Sequence, residues 1–375
     1  MIIAIDASRA NYTKKTGVEW YAFYIIEELK KHIPAHISVI LYSQTPLSGT
    51  LAKLPSHWQS SVLTWPPKRL WTHIRLSWQI IQDKPDVLFV PSHVPPLIHP
   101  KKTVTTIHDV AAMRFPKSYN WFEKWYSLWS ATYAVKHMWR IIVPSAFTKK
   151  ELCAFTKKED CGIVHSIPHG YDEGYNKPVE ESRANHILQN HGVTKPFILS
   201  VGRIETKKNT IQTVQAFSYL KKQYKDQSDI HDLQLVLIGK PGFGYDGVMN
   251  AIAQSAHKKD IHILGWMSQH ELYAFMQSAR VFVFPSLYEG FGMPVLEAFA
   301  AQTAVVAAKG NCLEEVGKDA ALYVDPLKTT EIANAIYTLI YSDKLTQAYV
   351  TKGNTVLRNY SWSICGKKTA DILCA

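Results

Sequence analysis

At 375 residues the chain is longer than the roughly 250–300 that one hydrophobic core accommodates, so two domains are expected. Hydrophobic residues make up 46% and charged residues 19%, which excludes an intrinsically disordered chain. The formal charge of +11 is uneven: residues 1–180 hold 22 Lys and Arg against 14 Asp and Glu, and nine of the eleven Trp, which points to an anionic or membrane-surface partner without naming one.

Short β-rich runs alternate with helical segments throughout, the pattern of parallel sheets joined by crossover helices. The opening residues Met1 to Asp6 read as a strand, too short for a secretory signal and without its basic start. Further strands are expected at 37–42, 87–90, 103–107, 140–143 and 163–167, and a helix from Val18 to Lys31 follows a loop holding Gly17. Segment 65–82 sets Trp71, Ile74, Trp78 and Ile81 on one helical stripe bordered by Lys68, Arg69 and Arg75. Segment 118–140 adds Trp121, Trp125, Trp129 and Trp139. An interfacial helix has this make-up, with aromatics at headgroup depth and cations on anionic lipid. Core packing is the plainer alternative, and 118–140 is apolar on too many sides for a pure surface helix, so much of it is expected to be buried. The polar run 171–195 marks the domain boundary, with room for a short helix.

The second half restarts the pattern, with strands expected at 197–201, 233–238, 261–264, 281–284, 304–307 and 321–324. Helices follow near 328–342 and 345–357 and over 361–375. The predicted division is 1–180 and 190–357, the last helix (358–375) packing back on the first domain. Two doubly wound sheets imply a cleft fed by the C-terminal ends of both sets of strands.

Three short segments carry chemistry. In FPSLYEGFGMPVLEAFA (284–300) a strand ends, a loop with Gly290 and Gly292 follows, and Pro294 stands where a helix begins, a position that favours proline. Free amides there suit an anion, and Glu289 in the loop and Glu297 in the first helical turn suit vicinal sugar hydroxyls. Acidic residues at a helix start also occur for dipole reasons alone. In VGRIETKKN (201–209), Arg203 and Lys208 flank a strand-to-helix loop, where fixed cations would stabilise an expelled diphosphate; Lys207 is expected to face solvent. A solvated basic loop is the alternative. TIHDV (106–110) brings His108 out at a strand's C-terminal end, where a lone histidine is more often structural than catalytic, with Asp109 orienting the loop.

Glu289-Gly-Phe-Gly-Met-Pro-Val-Leu-Glu297 resembles the E-x7-E signature of glycosyltransferase family 4. TGVEWY, TIHDV with RFPKSY, VPSAFTKKEL, IPHGYD, VGRIETKKN and ALYVDP occur in that family's order, so the resemblance covers most of the chain. It implies a GT-B architecture, two Rossmann-like domains, and a retaining, metal-independent transfer from a nucleotide sugar, which is a co-substrate; no cofactor is expected. Glu289 would contact the donor sugar, Glu297 the ribose, and the backbone of Gly290, Phe291, Gly292 and Met293 the sugar and phosphate. Arg203 and Lys208 would hold the diphosphate, and His108 would lie near the reacting centre. Gly17 would let the backbone approach the diphosphate from the opposite wall. The chain departs from the family at Trp20, where Arg is frequent, at Gln302–Ala308 and at Leu313-Glu314-Glu315, which touches donor identity more than reaction class.

Gly242-Phe-Gly244-Tyr-Asp-Gly247 is a formal G-x-G-x-x-G, but no acidic residue ends the following strand, so a nicotinamide site is set aside. That loop is expected beside the donor nucleotide, with the backbone about Leu264 meeting the base. No Asp-x-Asp, phosphate loop or H-E-x-x-H is present, and nothing demands a metal. The five cysteines are scattered and contain no C-x-x-C, which argues against a disulfide framework and for a reducing compartment. No apolar run approaches the ~20 residues that span a bilayer, so the protein is expected in the cytoplasm, at most peripheral at the inner face of the cell membrane. GDP-mannose is the first choice of donor, with UDP-glucose, UDP-N-acetylglucosamine and dTDP-sugars open; the acceptor is expected to be a glycan or lipid-linked, and no nucleic acid is expected. A GT-B-shaped nucleotide-sugar epimerase and a non-catalytic membrane- or nucleic-acid-binding protein are the rival readings.

Overall fold

The computed structural model describes residues 1–66, 70–92, 94–157 and 161–375. They form two compact units, one of Met1–Pro116, Asn120–Gly170 and Tyr360–Ala375, the other of Lys117–Tyr119 and Tyr171–Asn359. Strands in the first are β1 (Ile2–Asp6), β2 (Ser38–Ser43), β3 (Trp58–Val62), β4 (Val87–Val90), β5 (Lys102–Thr106), β6 (Arg140–Val143) and β7 (Val164–Ser166). They lie parallel in the order β3-β2-β1-β4-β5-β6-β7. The second unit holds β8 (Phe197–Val201), β9 (Gln234–Ile238), β10 (Ile261–Leu264), β11 (Val281–Phe284), β12 (Val305–Ala308) and β13 (Leu322–Val324), parallel in the order β10-β9-β8-β11-β12-β13. Both are doubly wound Rossmann-like sheets.

Helices cover both faces of a parallel sheet, so its inner strands are apolar throughout. Val87-Leu-Phe-Val90, Val281-Phe-Val-Phe284 and Val305-Val-Ala-Ala308 are buried at every position. That uniform burial makes them conspicuous in the sequence. Strand β3, Trp58-Gln-Ser-Ser-Val62, was not expected; it is an edge strand with only Trp58 buried, so it lacks the apolar run. In each sheet the strand order reverses once, between β1 and β4 and between β8 and β11. At such a reversal the two following loops turn apart and leave a crevice at the strands' C-terminal ends.

The helix Trp362–Leu373 belongs to the first unit and lies against the helix Gly17–His32. Trp362 stacks on Tyr24 with ring centroids 4.9 Å apart. Gly17 is the first residue of its helix rather than part of the preceding loop, with Thr16 as N-cap and Glu19 completing a capping box.

The cysteine expectation needs correction. Cys153 and Cys161 form a disulfide, while Cys312, Cys365 and Cys374 are free. Cys153 lies near the end of the helix Ala146–Thr156 and Cys161 just before β7, with their Cα atoms 6.3 Å apart. A local bridge of this kind needs no framework, so cysteine usage does not decide the compartment. Among the described residues, no helix is long and apolar enough to cross a membrane.

Candidate active site

The second unit's strand-order reversal lies between β8 and β11, and the two loops that follow these strands are the two chemistry-bearing motifs. The loop after β8 carries Arg203 and a short 3-10 turn, Thr206–Lys208, and ends at Asn209 in the left-handed conformation (φ 60°). Asn209 is buried, and its Nδ2 donates to the carbonyls of Pro285 (3.1 Å) and Pro326 (2.6 Å). The Leu287 amide donates to the Lys207 carbonyl at 2.9 Å. The two motifs are therefore one hydrogen-bonded structure, although 76 residues separate Asn209 from Pro285.

Charge is concentrated there. The Lys208 ammonium donates to Glu289 Oε1 at 2.5 Å and lies 5.0 Å from the centre of the Phe284 ring. Ser286 Oγ donates to the same carboxylate oxygen at 2.6 Å. Glu289 is buried, and removing the cation from a buried ion pair is strongly destabilising. Arg203 and Lys208 line one crevice at the C-terminal end of β8, together with Val201, Gly202 and Thr210. Lys207, expected to face solvent, is only 13% exposed and lies 4.0 Å from Glu205. The tight turn folds it inward beside that buried carboxylate.

The loop after β11 ends at Gly292, the N-cap of the helix Met293–Ala300, with φ 93°. A side chain at Gly292 would meet Leu313 at 2.3 Å, so position 292 takes only glycine. Gly292 offers no capping side chain; Pro294 has no N–H and the Val295 amide donates to the Gly292 carbonyl at 3.0 Å, so a ligand oxygen here would meet the Met293 amide. Gly290 and Phe291 are buried, and Met293 is half-buried. Cys312 Sγ donates to the Glu289 carbonyl at 3.1 Å and Asn311 Nδ2 to the Ser286 carbonyl at 2.9 Å, which holds the loop from beneath.

Glu297 is the fifth residue of its helix, not in the first turn as expected, because the helix begins at Met293. It makes its contacts away from Lys208, with Tyr175 and in the field of Asp172. Burial, then the negative charge of Asp172, push its carboxyl up to about 8, against a lowering hydrogen bond from Tyr175. Asp172 accepts from Gln269 Nε2 (2.7 Å), Tyr273 Oη (2.5 Å) and the Gly174 amide (2.9 Å). The sequence reading missed Asp172 and Tyr175; the available signal was the IPHGYD motif, read only as a family marker.

The G-x-G-x-x-G run is structural. The Ile204 amide donates to the Lys240 carbonyl, Gly242 to Ile204, and Thr206 to Phe243, each at 2.9 Å, so the loops after β8 and β9 lie side by side. A Cβ on Gly242 would come within 2.6 Å of the Arg203 side chain. That glycine lets Arg203 lie across the loop. Leu264 ends β10, and its carbonyl is taken by the Gly239 amide at 2.9 Å. Among the described residues, no group of three His, Cys, Asp or Glu is placed to hold a metal.

In the first unit, His108 lies two residues past β5, its Nε2 3.3 Å from the Pro91 carbonyl in the loop after β4. Its ring meets Tyr21 edge-on at 4.7 Å and His169 at 5.5 Å. Tyr21 Oη lies 3.0 Å from Thr106 Oγ1. Burial, then the neighbouring His108, hold the His169 imidazole well below its usual range. Asp109 accepts from the Ala111 amide at 2.9 Å and so shapes the loop. Trp20, in place of the family's frequent Arg, has the Lys15 ammonium 5.2 Å from its ring centre. The aromatic segments divide: Trp71 is buried and its indole donates to the Leu63 carbonyl at 2.8 Å, whereas Ile74, Trp78, Ile81, Trp121 and Trp125 are exposed. Burial of 118–140 is thus confined to its second half, at Ser130, Ala131, Ala134 and Val135 on the helix Trp121–His137 and at Met138 just beyond it. Lys68 and Arg69 of the predicted stripe lie outside the described residues.

Two parallel Rossmann-like units, with cations and a carboxylate at the second unit's strand reversal, define a glycosyltransferase of the GT-B class. Residues 182–355 match the model for glycosyl transferases group 1, and residues 15–174 the model for glycosyltransferase family 4. The chain belongs to glycosyltransferase family 4. It is 26% identical over 271 residues to O-antigen chain mannosyltransferase B of Escherichia coli, covering 72% of this chain and 69% of that one. It is 27% identical over 263 residues to α-maltose-1-phosphate synthase of Mycobacterium tuberculosis, covering 66% and 65%. The chain thus spans about two thirds of the length of these relatives. Among solved structures, Anabaena HepE in complex with UDP and glucose superposes with a TM-score of 0.74 at 16% identity, covering 100% of this chain and 99% of that one.

Proposed function

We propose that the enzyme transfers a hexose, mannose from GDP-mannose in the first instance, to a glycan or lipid-linked acceptor, with retention of configuration and without a metal. The observation that carries this reading is the Lys208–Glu289 pair at 2.5 Å, with Arg203 lining the same crevice as Lys208, at the second unit's strand reversal. A leaving nucleoside diphosphate needs fixed positive charge as its bond to the anomeric carbon breaks. Arg203 and Lys208 supply it, and the Met293 amide at the start of the helix adds to it. Lys208, turned toward phosphate, releases Glu289 to accept hydrogen bonds from the sugar. Glu297 then receives the ribose, as the family resemblance implies.

In the transfer itself the anomeric carbon–oxygen bond to the diphosphate breaks and a bond to the acceptor oxygen forms on the same face. The acceptor's proton passes to the departing phosphate, so no protein nucleophile takes part. His108 is the residue the resemblance assigns to the neighbourhood of the reacting carbon. The mannosyltransferase among the relatives favours a mannosyl donor, while HepE with UDP and glucose keeps UDP-glucose as the alternative to test against it.

The test is a donor panel. GDP-mannose should raise the melting temperature more than UDP-glucose, UDP-N-acetylglucosamine or a dTDP-sugar, and should release GDP in the presence of a chelator. Stabilisation by a UDP-sugar alone would replace the donor, and activity abolished by chelation would overturn the metal-free mechanism.

A further inference from the structure

We propose that the first unit docks on an anionic lipid surface through a face built from three segments, 70–83, 97–98 and 121–126. Half of the large apolar side chains exposed among the described residues come from these three short stretches. Trp121 is 80% exposed, Trp78 60% and Trp125 54%, with Ile74, Ile81 and Leu97 also exposed. A tryptophan left in water at that level forgoes much of the stabilisation its burial would give, and several gathered on one unit mark an interaction surface.

The segments touch one another, which makes one surface of them. His73 Nε2 lies 2.6 Å from Tyr126 Oη, and its ring also meets Trp129 edge-on at 6.0 Å. Trp125 stacks on Trp129 at 6.1 Å. The Ile98 amide donates to Ser77 Oγ at 3.3 Å, and Tyr133 Oη to the Leu97 carbonyl at 3.3 Å. The helical turns Trp71–Leu76 and Ser77–Asp83 bury Trp71, Leu76 and Ile80 inward, and this fixes Ile74, Trp78 and Ile81 on the outer side.

Charge decides the occupant. Residues 70–84 and 120–137 carry four basic side chains, Arg75, Lys84, Lys124 and Lys136, against two acidic ones. Both acids are engaged locally: Asp83 accepts from Tyr42 Oη (2.6 Å) and Gln79, and Glu123 accepts the Asn120 amide in a capping box. Arg75 and Lys124 remain on the same segments as the exposed aromatics. Tryptophan interleaved with lysine and arginine, on turns from separate segments, suits the headgroup layer of a membrane containing anionic lipid.

The test is cosedimentation of the full chain with vesicles of phosphatidylcholine alone and with added phosphatidylglycerol, at low and high salt. The wild type should bind the anionic vesicles, less so at high salt. Replacing Trp78, Trp121 and Trp125 together by Ser should lower the bound fraction roughly tenfold or more, since affinity follows buried apolar area. Arg75→Gln with Lys124→Gln should weaken binding to anionic vesicles and leave the small binding to neutral ones unchanged. Circular dichroism and donor-induced thermal shift should match the wild type in both variants, which separates this proposal from the assignment of the donor. Absence of binding to anionic vesicles at low salt, or wild-type binding by the triple variant, would overturn it. So would a wild-type dimer, unbound by vesicles, that the triple variant renders monomeric, because the face would then belong to a second copy.

Discussion

The two sheets reverse their strand order in the same way, yet the loops at the two reversals carry different chemistry. After β8 and β11 the chain places Arg203, Lys208 and Glu289, with a serine and an asparagine holding the loops together. In the first unit His108, after β5, lies against Tyr21 in the helix after β1 and against His169, which follows β7, an aromatic group in which the imidazole of buried His169 is held well below its usual range. The first unit keeps its charge apart from these rings, in the loop after β1, where Arg9 pairs with Glu19 at 3.3 Å near buried Asp6. The cations stand where a diphosphate would need them, and the histidine cluster is suited to hydrogen bonding and shape rather than to charge.

If that contrast is right, removing a cation costs more than removing the histidine. Arg203→Ala and Lys208→Ala should each lower kcat/KM by about 10²–10³-fold, the scale of one electrostatic group at a transition state. Lys208→Ala also leaves Glu289 buried without its partner, so its melting temperature should fall; adding Glu289→Gln should restore the melting temperature and not the activity. His108→Ala should cost about tenfold, the scale of one hydrogen bond. Steady-state kinetics on the four variants would break the comparison if the histidine variant were the worst.

Glu297 and His169 should also contribute to the pH dependence of stability with opposite sign. Glu297 has its carboxyl raised to about 8 from 4.5, so the folded state holds a proton the unfolded state has lost, and this contribution to stability declines as pH rises from about 4.5 to about 8. His169 is depressed below 6.5, so the unfolded state takes up a proton first, and its contribution is present above 6.5 and declines as pH falls. Melting curves should show Glu297→Gln flattening the decline from about pH 4.5 to about 8 and His169→Phe flattening the decline on acidification below 6.5. The smallest effect on the site is expected at the disulfide: Cys153→Ser with Cys161→Ser should lower stability by about 2 kcal/mol in denaturant melts. Donor-induced thermal shift should be unaffected.

Much of this was legible because parallel strands are written as apolar runs and motif loops follow them directly. Val281-Phe-Val-Phe284 announced β11, and SLYEGFG behind it marked the loop with Glu289. Lys208 and Arg203 were found the same way. What the sequence hid were contacts between distant segments. Asp172 and Tyr175 meet Glu297 more than a hundred residues away, and His169 joins His108 and Tyr21 only through the topology. β3 was hidden because an edge strand needs only one buried residue. Lys207 was misjudged because a basic residue in a loop carries no mark of the buried carboxylate beside it. The aromatic helices could not be assigned to core or surface, since hydrophobicity alone does not say which residues a partner covers.

The central claim is tested most directly by calorimetric titration of GDP and GDP-mannose into the wild type, Lys208→Ala and Glu289→Gln. Lys208→Ala should weaken both ligands by at least about tenfold, the loss of one charged hydrogen bond. Glu289→Gln should keep GDP affinity and remove the gain contributed by the sugar. Equal GDP affinity in the wild type and Lys208→Ala would contradict the account, because the cation beside Glu289 would then hold no diphosphate.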